Sequence, residues 1–503
     1  MKRGRDESDE PEIIQNGESR ANAVSEHPRK IQAADEDDSD LDEPVQPLRR
    51  ASQVRKGHEC PYLDTVSRQN LDFDFEKCCS VSLSPVNVYA CLVCGKYFQG
   101  RGQQTHAFTH ALETGHHMFM KLSDGRVYCL PEGYEVDDRS LDAIRYVLNP
   151  TFTPEKIAAL DTDARWVRSL DGSEYMPGLV GLNNMKANDY VNVIVQALLR
   201  VLPLRNFFLL PENYASCRSQ LVQRFGELLR KTCNPRNFKG QVSPHEFMQA
   251  VMTASAKKFT IEKQSDPVDF LSWFLNMLHA DLTGGKRKKP SIISRCFQGE
   301  LEITVEAGTG KAAAPNAQGE VRDVVERVPF LMLALDLPPA PLYKDALEKN
   351  IIPQVPIFEL LRKFDGVRIH DDIKAGRRRY RLTRLPNYLV LHMKRFTKNN
   401  FFWEKNPTIV NFPVRNLELR DIVPVPTGKT GEPEASKYDL VCNIVHDGKA
   451  GEGTYVAHVH RKAEDAWYEV DDLRVTDILS QMVVLSETYM QVYELKQLSA
   501  KPR

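Results

Sequence analysis

The sequence predicts an α+β protein joined from unlike segments, and three observations predict it. Residues 176–497 place apolar residues at helical spacing in their first half and run as successive apolar strands in their second, so helices precede antiparallel strands. Residues 56–135 concentrate cysteine and histidine in a small module. Residues 1–55 are charged, with almost no aromatic residue to bury. A helical connector over 136–175 joins the module to the large domain. The net charge of −1, with 42% apolar and 27% charged residues, is an ordinary globular balance. Any contact with nucleic acid or an anionic membrane must then come from a local patch. No run of 18 apolar residues predicts a membrane-spanning helix, and the N-terminus lacks the apolar core of a signal peptide.

The first segment, with "DESDEPE" and "ADEDDSDLDEPVQP", cannot bury enough apolar surface to offset its chain entropy and is expected to be disordered. Basic pieces flank it, "KRGR" at 2–5 and "RRASQVRK" at 49–56. They read equally as nuclear-import signals or as charge balance in a solvated tail.

Six of the ten cysteines fall between Cys60 and Cys129, a clustering that in a chain without a secretion signal favours a metal over disulfides. Strands are expected at "NVYACLV", "HMFMKL" and "RVYCL". "CLVC" gives Cys91 and Cys94, which reach one ion from a tight turn, and His110 and His116 complete a Cys2His2 tetrahedron. Such a site leaves no position for water and is structural. His106 and His117 compete for the histidine places. Cys60, Cys78, Cys79 and Cys129 remain over, read as buried thiols ahead of a second zinc site.

In the connector, "RSLDAIRYVLN" and "TPEKIAALDTDARWV" carry helical spacing, and Thr153 before Pro154 is a helix start. The large domain continues with helices at "YVNVIVQALLRVL", "CRSQLVQRFGELLRKT", "PHEFMQAVMTASA" and "DPVDFLSWFLNMLHADL". Strands follow at "RCFQGELEITV", "PFLMLALDL", "RRYRLTRLPNYLVLHMKRF", "YDLVCNIVH", "TYVAHVHR" and "AWYEVDD". The Gly/Ala-rich stretch at about 306–320 is expected to be a mobile loop.

The stretch Cys60–Cys129 resembles the zinc finger of ubiquitin-specific proteases, and the resemblance carries over Cys91, Cys94, His110 and His116 as ligands of one zinc. Fuller members hold two further ions; here only Cys60, Cys79, His106 and Cys129 stand near those places. Members that grip the ubiquitin tail use an arginine after "CGR". This chain has "YFQGRGQQTHAF", which argues against ubiquitin binding by the finger.

"GLNNMKANDYVNVIVQAL" resembles the opening box of the ubiquitin-specific proteases, "QSDPVDFLSWFLNMLH" the second, with Gln264, Asp266 and Asp269, and "LPNYLVLHMKRF" a later strand. "YDLVCNIVHDGKAGEGTYVAHVHRKAEDAWYEVDD" resembles the last. The resemblance implies a papain-like cysteine-protease fold over 176–497. It places Asp189 where the nucleophilic cysteine belongs, Thr454 at the general base, Asp471 at the third position and Asn184 at the oxyanion. A carboxylate is a poor attacker of an isopeptide and threonine takes no proton near neutral pH, so the chain is expected not to be an enzyme. Asp189 is instead read as a charge that favours a helix N-terminus. His446 matches a non-catalytic place, His458 and His460 lie beyond the base position, and Cys442 reads as core. Many members bind zinc in this domain through two CxxC pairs; Cys296 alone stands near that region, so that zinc is expected to be missing.

The resemblance extends to a splicing-associated branch of the family, through "CLVCGKYFQGRG" and "KRFTKNNFFWEKNPTIVNFPV". It implies a non-catalytic scaffold in the nucleus, with spliceosomal tri-snRNP proteins as partners. The alternatives are a ubiquitin receptor without protease activity and a residual deubiquitinase. The basic runs at 284–290 and 374–381 read as solvated loops or as weak RNA-backbone contacts.

Overall fold

The computed structural model describes residues 60–163, 165–286, 289–308, 323–339, 352–372, 376–398, 402–420 and 435–496. The expected tail of 1–55, most of the Gly/Ala-rich stretch and parts of both basic runs lie outside the described residues.

The Cys/His module is a five-stranded antiparallel sheet of β1 (Val88–Cys91), β2 (Tyr97–Gln99), β3 (Met118–Lys121), β4 (Val127–Cys129) and β5 (Tyr134–Val136), in the order β2-β1-β3-β4-β5. β2 and β5 escaped the sequence reading because three residues carry no readable period. Helix α1 (His106–Thr114) covers one face, burying Ala107 and Ala111 near Phe119. The other face packs Leu71, Val88, Met118 and Val127 against Ile144 of the connector and Phe238 of the large domain.

The connector forms α2 (Asp142–Leu148) and α3 (Pro154–Leu160), the latter begun by the Thr153 hydroxyl accepting from Lys156 N. The helix expected to continue through "DTDARWV" stops at Leu160, and a hairpin of Val167–Arg168 and Glu174–Tyr175 follows. The Asp163 carboxylate accepts from Arg165 N at 3.1 Å, a local turn that competes with helix. The connector is therefore only partly helical.

The large domain sets its helices against two sheets. Helix α4 (Asp189–Leu199) is buried at all eleven positions, so it is a central helix rather than an amphipathic surface one. Expected to run on through "RVL", it instead turns by 95° into α5 (Leu202–Leu209), where Pro203 sits in the first turn. Helices α6 (Gln220–Thr232), α7 (His245–Ala254) and α8 (Pro267–Thr283) follow the sequence pattern. The Asp266 carboxylate accepts from Val268 N at 2.7 Å and so caps α8. Arg295–Phe297, expected as strand, belong to α9 (Ile292–Phe297). A reciprocal pair of caps between Ser291 and Ser294 nucleates that helix and outweighs the apolar run.

The main sheet has eight strands. Its path runs Leu333–Asp336, Tyr388–Lys394, Thr488–Leu495, Lys437–Lys449, Glu452–Arg461, Ala466–Asp471 and Arg474–Ile478, with Leu417–Glu418 added beside Lys437–Lys449. The first pair is parallel and the rest antiparallel. A four-stranded antiparallel sheet of Val324–Phe330, Gly299–Val305, Gly376–Arg384 and Asp365–Asp372 stands beside it. The main core lies between α4–α9 and one face of the large sheet, and a second core joins the two sheets.

A buried charge cluster fastens the finger to the large domain. Lys231 of α6 donates to Phe73 O at 2.7 Å and pairs with Asp74 at 3.2 Å, and Lys77 pairs with Glu227 at 3.1 Å. Burial pushes the Glu227 carboxyl up, but Lys231, Lys77 and Arg224 outweigh it and hold it below the usual range.

Candidate functional site

In the finger, Cys91 ends β1 and Cys94 lies in the turn that follows. Gly95 closes that turn at φ +77°, where an added Cβ would stand 2.1 Å from Asn70 O. His110 projects from α1, and Gly115 ends that helix at φ +68°, turning the chain so that His116 comes back to His110. The four donor atoms lie within 4.8 Å of one another. The two ring nitrogens are 3.2 Å apart, Cys91 Sγ is 3.6 Å from His116 Nδ1, and Cys94 Sγ is 3.4 Å from His110 Nε2. A tetrahedral zinc with ordinary bonds needs about 3.6 Å between sulfur and nitrogen and about 3.3 Å between nitrogens. The donor set fits zinc. The two sulfurs share one hydrogen bond, which lowers the Cys94 thiol and raises that of Cys91.

The competing residues stand outside the cluster. His117 hydrogen-bonds Leu130 O at 2.7 Å and stacks on Tyr62, and His106 opens α1. Cys60 accepts from the Tyr134 hydroxyl at 3.1 Å, and burial pushes the Cys129 thiol up to about 12. Arg101, the arginine of "GRG", lies over the Tyr128 ring at 4.4 Å.

In the large domain, the N-terminus of α4 meets strand Glu452–Arg461. Asp189 is 2% exposed, and its Oδ2 accepts from Gln264 Nε2 at 2.5 Å and from Tyr455 N at 3.0 Å. Gln264 also donates to Gly453 O at 2.9 Å. Asp189 Oδ1 is buried without a hydrogen-bond partner among the described residues. The carboxylate thus does more than favour the helix end: it ties α4 to the strand and to the segment before α8.

Asn184 Nδ2 donates to Asp472 Oδ2, and Asn192 Nδ2 to Asp472 Oδ1, each at 2.8 Å. Asn188 bridges the two, its backbone N–H donating to Asn184 Oδ1 at 3.0 Å and its Nδ2 to Asn192 Oδ1 at 3.1 Å. Burial raises the Asp472 carboxyl above the usual range. Asp471 turns away and pairs with Arg474 at 3.1 Å. Thr454 is exposed, and its hydroxyl has no hydrogen bond among the described residues.

The structure thus brings Asn184 and Asp189 to one place, leaves Asp471 outside it, and puts Asp472 in the polar cluster. Sequence reasoning passed over Asn188, Asn192 and Asp472. Their signal was present: Asn184, Asn188 and Asn192 recur every four residues, and "DD" offers two carboxylates.

Among the described residues no imidazole hydrogen-bonds Asp189. His446 is 3% exposed, packs on Phe396 and Tyr455, and is held down to about 4 by burial. His458 pairs with Glu469 and His460 with Asp465. Cys442 is fully buried, its thiol pushed up to about 12, and Cys296 lies in the core on α9. The cleft holds carboxylates and amides bonded to one another, an arrangement that positions backbone.

Comparison with known proteins gives the same architecture a lineage. The family described as ubiquitin carboxyl-terminal hydrolase matches residues 180–493, and the zinc finger described as occurring in ubiquitin-hydrolases and other proteins matches 78–141. The chain is 51% identical to ubiquitin carboxyl-terminal hydrolase 39 of Homo sapiens, covering 88% of this chain and 81% of that one. It is 30% identical to pre-mRNA-splicing factor SAD1 of Saccharomyces cerevisiae, covering 86% and 93%. Among solved structures, the crystal structure of an essential yeast splicing factor superposes with a TM-score of 0.71 at 28% identity, covering 87% of this chain and all of that one.

Proposed function

The chain belongs to the ubiquitin carboxyl-terminal hydrolase family, and on that premise we propose that it is a member without catalysis, serving pre-mRNA splicing as a scaffold that supports tri-snRNP assembly or stability in the nucleus. One observation carries the loss of chemistry. The buried Asp189 carboxylate fills the place of a nucleophile and spends its hydrogen bonds on Gln264 and Tyr455. With Thr454 exposed at the base position, nothing there can form a thiolate–imidazole pair. The relatives' names supply the process: one is a pre-mRNA-splicing factor, and the superposed structure is a splicing factor.

Each part then has a mechanical role. The closed polar cluster fixes α4 against the large sheet. Cys91, Cys94, His110 and His116 would hold one zinc ion, which when bound supplies folding energy to a module with a small core. The Lys231 cluster sets the finger rigidly on the large domain, so that a partner meets one composite surface.

The experiment is a gentle affinity purification from nuclear extract, with bound RNAs and proteins identified. Tri-snRNP RNAs should co-purify. Recovery of ubiquitin conjugates without those RNAs would replace the scaffold with a ubiquitin receptor. Cleavage of ubiquitin conjugates by the purified chain, lost on Asp189→Ala, would restore an enzyme.

A further inference from the structure

A pocket of about 520 Å³ opens where the connector meets the large domain. It lies between α2, α3, the short hairpin after them and the loop that follows α6. Tyr146, Phe152 and Trp166 bring three aromatic rings to its wall. The Tyr146 ring already carries two cations, Lys156 Nζ at 5.3 Å and Arg236 Cζ at 5.4 Å from its centroid. Trp166 is different: it is 47% exposed, and its ring meets no other ring or cation among the described residues.

The charge around these rings is one-sided. Lys156, Arg168 and Arg236 line the pocket and form no ion pair among the described residues. Arg168 spends only Nε, on Gly172 O at 3.3 Å. Among the described residues Asp163 is the one carboxylate in the wall, and Arg165 takes it at 2.7 Å. Arg461 is buried behind it and donates to Pro177 O at 3.2 Å and to Asp163 O at 2.5 Å, which fixes the back of the pocket. An open indole next to unpaired cations suits a ligand that is flat and apolar on one part and anionic on the next.

We propose that this pocket binds one nucleotide of single-stranded RNA, its base stacked on Trp166 and its flanking phosphates held by Arg168, Arg236 and Lys156. Every base has a π-face for the indole, and the phosphates neutralise three cations that hold no carboxylate among the described residues. An acidic peptide would answer the cations and leave the indole bare. The volume is that of an ordinary ligand site. The inference rests on the pocket and not on the splicing role: the purified chain can bind RNA here whether or not it joins a larger particle.

The test is fluorescence anisotropy of a labelled short oligouridine RNA with the full chain at low salt. Trp166 and Arg168 are both exposed, so Trp166→Ala and the double variant Arg168→Glu, Arg236→Glu should keep the fold, which circular dichroism checks. Trp166→Ala should weaken binding by about tenfold. The double variant should weaken it further and flatten its salt dependence. Equal binding by Trp166→Ala and the unaltered chain would overturn the proposal, as would no binding at about 100 μM, the weak end of non-specific affinity. So would uridine monophosphate binding as tightly as the strand, poly-glutamate displacing the RNA equally well, or loss of binding only on changing Arg377 and Arg379 in the strand Gly376–Arg384.

Discussion

In the finger, four donor atoms converge on one point at the spacing of a metal site; in the cleft, carboxylates and amides from distant stretches converge and close on one another. Cys91, Cys94, His110 and His116 stand at the edge lengths of a metal tetrahedron. Asp189, Gln264, Asn184, Asn192 and Asp472 stand at hydrogen-bond lengths, each donor on an acceptor. The difference teaches how a ligand-type site differs from a structural cluster within one chain. The finger aims its four donors at one point, at the distances a metal ion sets. The cleft spends its polar groups on holding α4 against the strand and the segment before α8.

Removing the metal should break the comparison from the finger's side and have the largest effect. Structural zinc contributes about 10–16 kcal/mol in isolated fingers. Atomic absorption should find one zinc per chain and none after Cys94→Ser. The finger should then become protease-sensitive while the large domain stays folded.

Next in size is the joint between the two regions. Lys231→Met would leave Asp74, Glu227 and Glu246 facing each other without their buried cation. The expected loss is about 3–5 kcal/mol. Hydrogen exchange should show the finger and α6 loosening together; exchange unchanged in the finger would mean that the remaining contacts across the joint, Lys77–Glu227 and Phe238 among them, hold it.

Acid should weaken the large domain by a smaller step. Burial holds His392 down to about 3 and His446 to about 4. Their folded values lie below the ordinary 6.5, so between pH 6.5 and 5 the unfolded chain binds protons that the folded chain refuses. Stability then falls as pH falls, by up to about 1.4 kcal/mol per pH unit for each histidine. Asp266 and Asp472, raised by burial, act in the opposite sense at lower pH. Urea midpoints at pH 7 and pH 5 measure the net slope.

The smallest effect sharpens the reading of the cleft. Asp189→Ala removes an acceptor from Gln264 and Tyr455 N and should cost about 1–3 kcal/mol. Asp189→Asn keeps one acceptor oxygen, removes the unpartnered Oδ1, and should stay within about 1 kcal/mol of the parent. If Asn also cost several kcal/mol, the charge itself would be holding the helix end. Neither variant should cleave a fluorogenic ubiquitin substrate.

Much of this was legible from residues alone. Cysteine and histidine spacing pointed to the metal cluster, helical and strand periods to the order of α6, α7, α8 and the long strands, and Thr153 before Pro154 to the start of α3. Each of these is a local property, carried by neighbours within one or two turns of chain. The errors were local too: Asp163 stopped a helix that periodicity extended, Pro203 bent another, and the Ser291–Ser294 caps made helix from an apolar run.

The sequence by itself determined the class of fold, the four residues of the Cys/His cluster and the absence of a thiol at Asp189. Only the tertiary structure turned Asp471 out to Arg474 and brought Asp472 in to Asn184 and Asn192. It alone met Asp189 with Tyr455 N, 266 residues away. Such choices depend on which backbone groups arrive unpaired beside a side chain after long-range packing, and no period or spacing encodes that.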